Sequence, residues 1–156
     1  MSTSSQESSS LATLSWRPCA HRLALFFGIV RAQHLLSLAV LRDGAPYCAN
    51  LFYVFEPPFS LIVASSAQSE HIKAALRSPQ VSGTIASDTG AIANIRGVQF
   101  TGTLTEASAA QRGRYLACFP IAHAIEGDFW NLAIAWAKIT DNAFLGIGKK
   151  MCIDSC

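Results

Sequence analysis

The sequence predicts a mainly β domain, a small antiparallel β-barrel of about six strands with two or three short flanking helices. Short apolar runs are joined by turn signals at Arg42-Asp-Gly-Ala45, Pro57-Pro58 and Ser87–Gly90. Helical spacing is confined to a few segments. Two strand-like runs also carry polar residues where a purely structural strand would carry hydrophobes. Asn50 lies within Tyr47–Phe55, and Arg96 and Gln99 lie within Ile95–Gly102. A sheet that buries such side chains gives them a polar ligand or a partner subunit. The expectation is therefore a barrel that holds a ligand.

Leu23, Phe26, Phe27 and Val30 recur at helical spacing and predict a helix over 20–33. A strand over Leu35–Leu41 follows, then the Asp-Gly hairpin turn and the Tyr47–Phe55 strand, closed by the two prolines. Phe59–Ala64 reads as a strand and Gln68–Arg77 as a short helix, with serines placed to cap it. Val81–Ala86 is a strand, and Ile92–Thr105 a long one in which Gly97 and Gly102 mark a bulge or close approach. Glu106–Cys118 has the composition of a helix, and 121–128 reads as a loop. Trp130–Ile139 alternates, with Trp130, Leu132, Ile134 and Trp136 predicted to fill the core and an alanine row on the other face.

The expected organisation is one domain over 19–151, a Ser-rich, disordered start over 1–18 and a short tail over 152–156. Hydrophobic residues make up 51% and charged residues 14% of the 156 residues. So apolar a small chain predicts a surface buried against a second copy, hence a homodimer. A net charge of +2 without a basic run argues against nucleic acid. No apolar run reaches the roughly 18 residues of a membrane span. Five irregularly spaced cysteines, with no CxxC pair, fit a reduced, cytoplasmic setting.

Ser65, Ser66, Ser69, His71 and Lys73 surround the start of the predicted helix. Hydroxyls, free backbone N–H groups and a cation suit a phosphate, and the same residues suit an ordinary helix cap. Arg96 can pair with phosphate or lie along the barrel; Gln99 can bond a ring edge or face solvent. Lys149-Lys150 lacks P-loop spacing, and a solvated end is the simpler reading. The four histidines have no metal-ligand spacing, and no nucleophile or acid–base pair stands out. An enzyme without such a pair would leave the chemistry to a bound redox cofactor; the first hypothesis is an oxidoreductase moving electrons from NAD(P)H to a small oxidised acceptor. A non-catalytic binder of flavin, haem or another planar ligand is the alternative, and a structural dimer without cofactor a third.

Cys48-Ala-Asn-Leu-Phe-Tyr53, Ile95-Arg-Gly-Val-Gln-Phe100, Phe119-Pro120, Ile139-Thr-Asp-Asn142 and Gly146-x-Gly-Lys-Lys150 resemble the YhbP-like family. That family belongs to the pyridoxamine phosphate oxidase-like, FMN-binding split-barrel superfamily. The resemblance spans about residues 20–151. It implies a six-stranded split barrel, a homodimer and FMN sites between the subunits. Carried over, Asn50, Ser65, Ser66, Ser69, His71, Lys73, Arg96 and Gln99 become FMN contacts. The chain departs from the superfamily in having His71 where many members place Lys or Arg. It also lacks their substrate-phosphate arginine cluster, so pyridoxamine phosphate oxidation itself is not expected.

Overall fold

The computed structural model of the chain describes residues 19–154. The disordered start expected over 1–18 lies outside them. The first helix, α1 (Cys19–Ala32), leads into the hairpin β1 (Leu35–Arg42) and β2 (Ala45–Glu56). Its turn has positive φ at Asp43 (52°) and Gly44 (79°), the geometry an Asp-Gly pair adopts to match strand twist. Next come β3 (Ser60–Ser65), α2 (Glu70–Arg77) and β4 (Gln80–Ala86), then β5 (Arg96–Glu106), α3 (Ala109–Cys118) and β6 (Asp128–Asp141). A four-residue helix, α4 (Asn142–Leu145), and β7 (Lys150–Asp154) complete the described chain.

The sheet runs β3-β2-β1-β4-β5-β6, all antiparallel, and closes because β3 also pairs with β6. The result is the expected six-stranded barrel with flanking helices. β6 performs the closure by dividing its length. Its first half (Asp128–Ala133) bonds β3, and its second half (Trp136–Thr140) bonds β7. The sheet thus continues beyond residue 151, and the stretch expected to begin a tail at 152 forms part of a strand.

Inward side chains alternate along each strand: Leu36, Leu38 and Val40 on β1, and Val98, Phe100 and Leu104 on β5, are all buried. α1 plugs the barrel with Phe26, Ile29 and Val30. Burying such side chains contributes about 1.5–3 kcal/mol each. A smaller cluster of Ile62, Tyr115 and Phe129 holds α3 against the outside of β3 and β6. Ser108 starts α3 with a capping box, accepting from Gln111 N at 3.2 Å while its own N–H donates to Gln111 Oε1 at 3.0 Å. This cap lets β5 run through Glu106, so α3 starts later than the Glu106 expected from composition.

Three further expectations are corrected. Ile92–Asn94 forms a 3₁₀ turn rather than strand, and β5 begins at Arg96. Pro120–Ala124 is likewise 3₁₀ rather than loop. The clean alternation expected over Trp130–Ile139 breaks in the middle. Thr101 pairs with Trp136 but Gly102 with Ile134, so Ala135 is an extra residue in β6. Downstream of this bulge the faces exchange: Ala137 and Ile139 enter the core, and Trp136 turns to the outer face.

Candidate functional site

β3 ends at Ser65, where its partner on β6 is Asp128. Three contacts fix the chain as it leaves the sheet. Trp130 Nε1 donates to Ser65 O at 2.9 Å, Ala67 N to Asp128 Oδ2 at 2.8 Å, and Gln68 N to Ser66 Oγ at 3.1 Å. The turn returns the chain toward Ser65 as α2 starts. Ser65 Oγ lies 2.8 Å from His71 Nε2 and 3.1 Å from Ser69 Oγ. Ser69 Oγ in turn donates to Ser66 O at 2.7 Å. Ser69 occupies the N-cap position of α2, but no serine side chain caps the helix. The serines bond one another and the turn instead, which corrects the capping expectation.

Burial lowers the pKa of His71 below its ordinary 6.5, so at neutral pH the ring is uncharged. It therefore takes part in the hydroxyl cluster as a hydrogen-bonding group and adds no positive charge for a phosphate. The sign for stability follows. The unfolded chain takes up a proton near pH 6.5 and the folded one only lower. Folding stability is then full above 6.5 and declines as pH falls through the folded pKa. His71→Gln, which cannot be protonated, is expected to flatten that decline between pH 7 and 5, measured by melting temperature across pH.

Beside the serine turn lies a cavity of about 310 Å³ between β2, β3, α3 and the 120–127 segment. Its polar lining is Asn50, Ser65, Ser66, Tyr115 and Glu126; its apolar lining includes Leu51, Phe52, Ile125 and Phe129. Asn50 is anchored from the neighbouring strand, since Ser37 Oγ donates to its Oδ1 at 2.8 Å. Five of the eight sequence-expected residues thus meet here. Asn50, Ser65 and Ser66 line the cavity, and Ser69 and His71 are bonded to Ser65 behind it. Lys73 follows on α2, where its N–H donates to Ser69 O and its ammonium lies 3.9 Å from Glu70.

Arg96 and Gln99 are elsewhere. Arg96 pairs with Asp141 at the far end of β6 from Asp128. That strand has 14 residues, roughly 40 Å of path at about 3.3 Å per residue. Its guanidinium is committed: Nε donates to Asp141 Oδ2 at 2.9 Å, and Asp141, only 4% exposed, also accepts from Phe144 N at 3.0 Å. The salt bridge fastens the strand end to α4. Arg96→Ala leaves a buried carboxylate with one backbone partner and is expected to cost about 2 kcal/mol, read as a lower melting temperature. Gln99 lies exposed on the outer face of β5, beside Thr84, Thr101 and Trp136 in a hollow of about 340 Å³. Tyr115 was not singled out in the sequence, although the aromatic residue sits on the apolar side of a capped helix.

No family model matches the chain. UPF0306 proteins of Yersinia pseudotuberculosis and Yersinia pestis are 36% identical to it over 127 residues, covering 78% of this chain and 86% of theirs. The chain belongs to the UPF0306 family. Solved structures resemble this UPF0306 barrel at low identity and show its fold. A haem-binding protein from Mycobacterium smegmatis aligns with a TM-score of 0.73, 19% identity, 88% of this chain and 59% of the other. A FAD-binding protein from Mesorhizobium loti aligns with a TM-score of 0.60, 19% identity, and 72% and 87% coverage. A Clostridium acetobutylicum protein related to general stress protein 26, of the pyridoxinephosphate oxidase family, gives 0.66, 8%, 86% and 95%. All three share the barrel fold. Among the described residues no helix is long and apolar enough to cross a membrane, and no cluster of three metal-ligating side chains occurs.

Proposed function

We propose that this UPF0306 chain binds a planar, phosphate-bearing ring cofactor, FMN, in the cavity beside the serine turn, and that two copies of the chain enclose it. The carrying observation is the convergence of Asn50, Ser65 and Ser66 on one apolar-walled cavity, backed by Ser69 and His71. The volume of about 310 Å³ is at the small end of ligand cavities, which run from about 300 to 1,000 Å³. That suits one ring system with a short tail better than a dinucleotide. Serine hydroxyls would hold the phosphate, with little help from charge, because His71 is neutral and Lys73 lies beside Glu70.

The second copy has a natural place. The outer face of β1, β4 and β5 carries Ser37, Ala39, Ser82, Thr84 and Thr101, small and uncharged, and no helix covers the hollows there. Apposing two such faces would bring Gln99 and Trp136 into the interface. The flavin would supply hydride or electron transfer; the chain's part is to bind it, orient it and exclude water. NAD(P)H as donor and a small oxidised acceptor complete the reading, which the YhbP-like motifs also support. The haem-binding neighbour favours a second reading, a non-catalytic holder of a planar ligand in the same cleft.

Two measurements separate these readings. Purified protein loaded with FMN should be yellow, have twice the chain's mass in solution, and lose its visible absorbance on addition of NADPH or NADH under argon. Retained colour with either nicotinamide removes the oxidoreductase and leaves the binder; a monomeric mass removes the shared cleft.

A further inference from the structure

Nothing in the fold uses the hydroxyl of Tyr115. Its ring is pinned, with centroids 5.1 Å from Phe119 and 5.5 Å from Phe129, and the residue is 5% exposed. A tyrosine buried so deeply normally finds a hydrogen-bond partner. Tyr53 does: its hydroxyl donates to Val30 O at 2.6 Å. No protein group among the described residues bonds the Tyr115 hydroxyl; its oxygen is not cut off from solvent, and the residue lines the cavity. A hydroxyl that no protein group uses and that water can reach is free to donate to a ligand in its place.

We propose that Tyr115 sets the ligand specificity of this cavity by hydrogen bonding to the polar edge of a flavin-type ring. The inference rests on the ring-binding reading above and names the part of the ring that is recognised. The neighbouring polar groups suit the same edge. Asn50 spends its Oδ1 on Ser37, which leaves its amide N–H groups to donate, and Glu126 adds a carboxylate acceptor. A flavin's pyrimidine edge carries two carbonyl acceptors flanking an imide N–H donor. A porphyrin offers an apolar face and a rim of carboxylates, with no edge on which donors and acceptors alternate. Burial raises the Tyr115 pKa above its ordinary 10.0, so the phenol keeps its proton at neutral pH and can donate.

Tyr115→Phe removes the oxygen and keeps the packed ring. The test titrates FMN (by fluorescence quenching) and hemin (by absorbance) into the full-length wild type and the variant, with melting temperatures of both. FMN affinity is expected to fall roughly five- to tenfold, the effect of one neutral hydrogen bond, with hemin affinity within about twofold and an unchanged melting temperature. Unchanged FMN affinity overturns the proposal. So does an equal loss for both ligands with a lower melting temperature, which would mark Tyr115 as structural. Wild type that takes hemin but not FMN also overturns it, while the planar-ligand reading survives. Wild type that takes neither overturns the ring-binding reading itself.

Discussion

Gly102→Ala is expected to lower the thermal midpoint by about 10 °C, or to prevent accumulation of folded protein. A Cβ at this position would run into the carbonyl oxygen of Ala133, with Ala133 C at 3.1 Å and Ile134 Cα at 3.2 Å close behind. All three atoms are backbone of β6, so no side chain can rotate away. Relief requires β5 and β6 to separate where the bulge around Ala135 turns Trp136 outward. Forced overpacking of this kind costs about 3 kcal/mol, and each kcal/mol is worth roughly 2–4 °C in a chain of this size. Gly113→Ala is the control. Gly113 lies on α3 with nothing within 4 Å of a new Cβ, so alanine there should raise stability by about 0.5–1 kcal/mol. A Gly102→Ala protein that melts with the wild type would show that the close approach does not govern the barrel.

The second large effect belongs to the serine turn. Replacing Ser65 and Ser66 together by alanine should weaken FMN binding by about two orders of magnitude. Each hydroxyl bonding a charged phosphate is worth about 1.5–3 kcal/mol, and 1.4 kcal/mol is a factor of ten. The backbone frame should survive, because Asp128 and Trp130 hold the turn through its main chain. The folded state can be checked by circular dichroism beside the titration. Riboflavin, which lacks the phosphate, should bind wild type and variant alike. Equal losses for riboflavin and FMN would show that the serines support the cavity wall rather than meet the phosphate.

Local signals made much of the fold legible. The Asp-Gly pair at 43–44 fixes its hairpin because both positions need positive φ. The apolar spacing of 23–30 marks α1, and β1 to β4 fall within a few residues of their expected bounds. Two of the errors share a cause, in partners distant in sequence. The bulge in β6 lies where Gly102 on β5 brings the strands close, and beyond it Trp136 leaves the core although its own alternation points inward. β7 is visible only through its pairing with β6.

The site divides in the same way. Ser65, Ser66, Ser69 and His71 lie within seven residues of sequence, and a single turn brings them together. Asn50 joins them because β2 lies beside β3. Arg96 was grouped with them by its chemistry and by the family resemblance. Its partner is Asp141, 45 residues away, which no local pattern announces. Tyr115 escaped notice for the opposite reason. Its position suits packing, and only the fold shows that it lines the cavity.

The most direct test is a fluorescence titration of FMN with the purified full-length protein near neutral pH. Saturable quenching at micromolar protein is expected, with one flavin per chain, and it should be largely lost in the Ser65→Ala/Ser66→Ala variant. Flavin emission unaltered by the protein across that range would contradict the FMN-binding proposal.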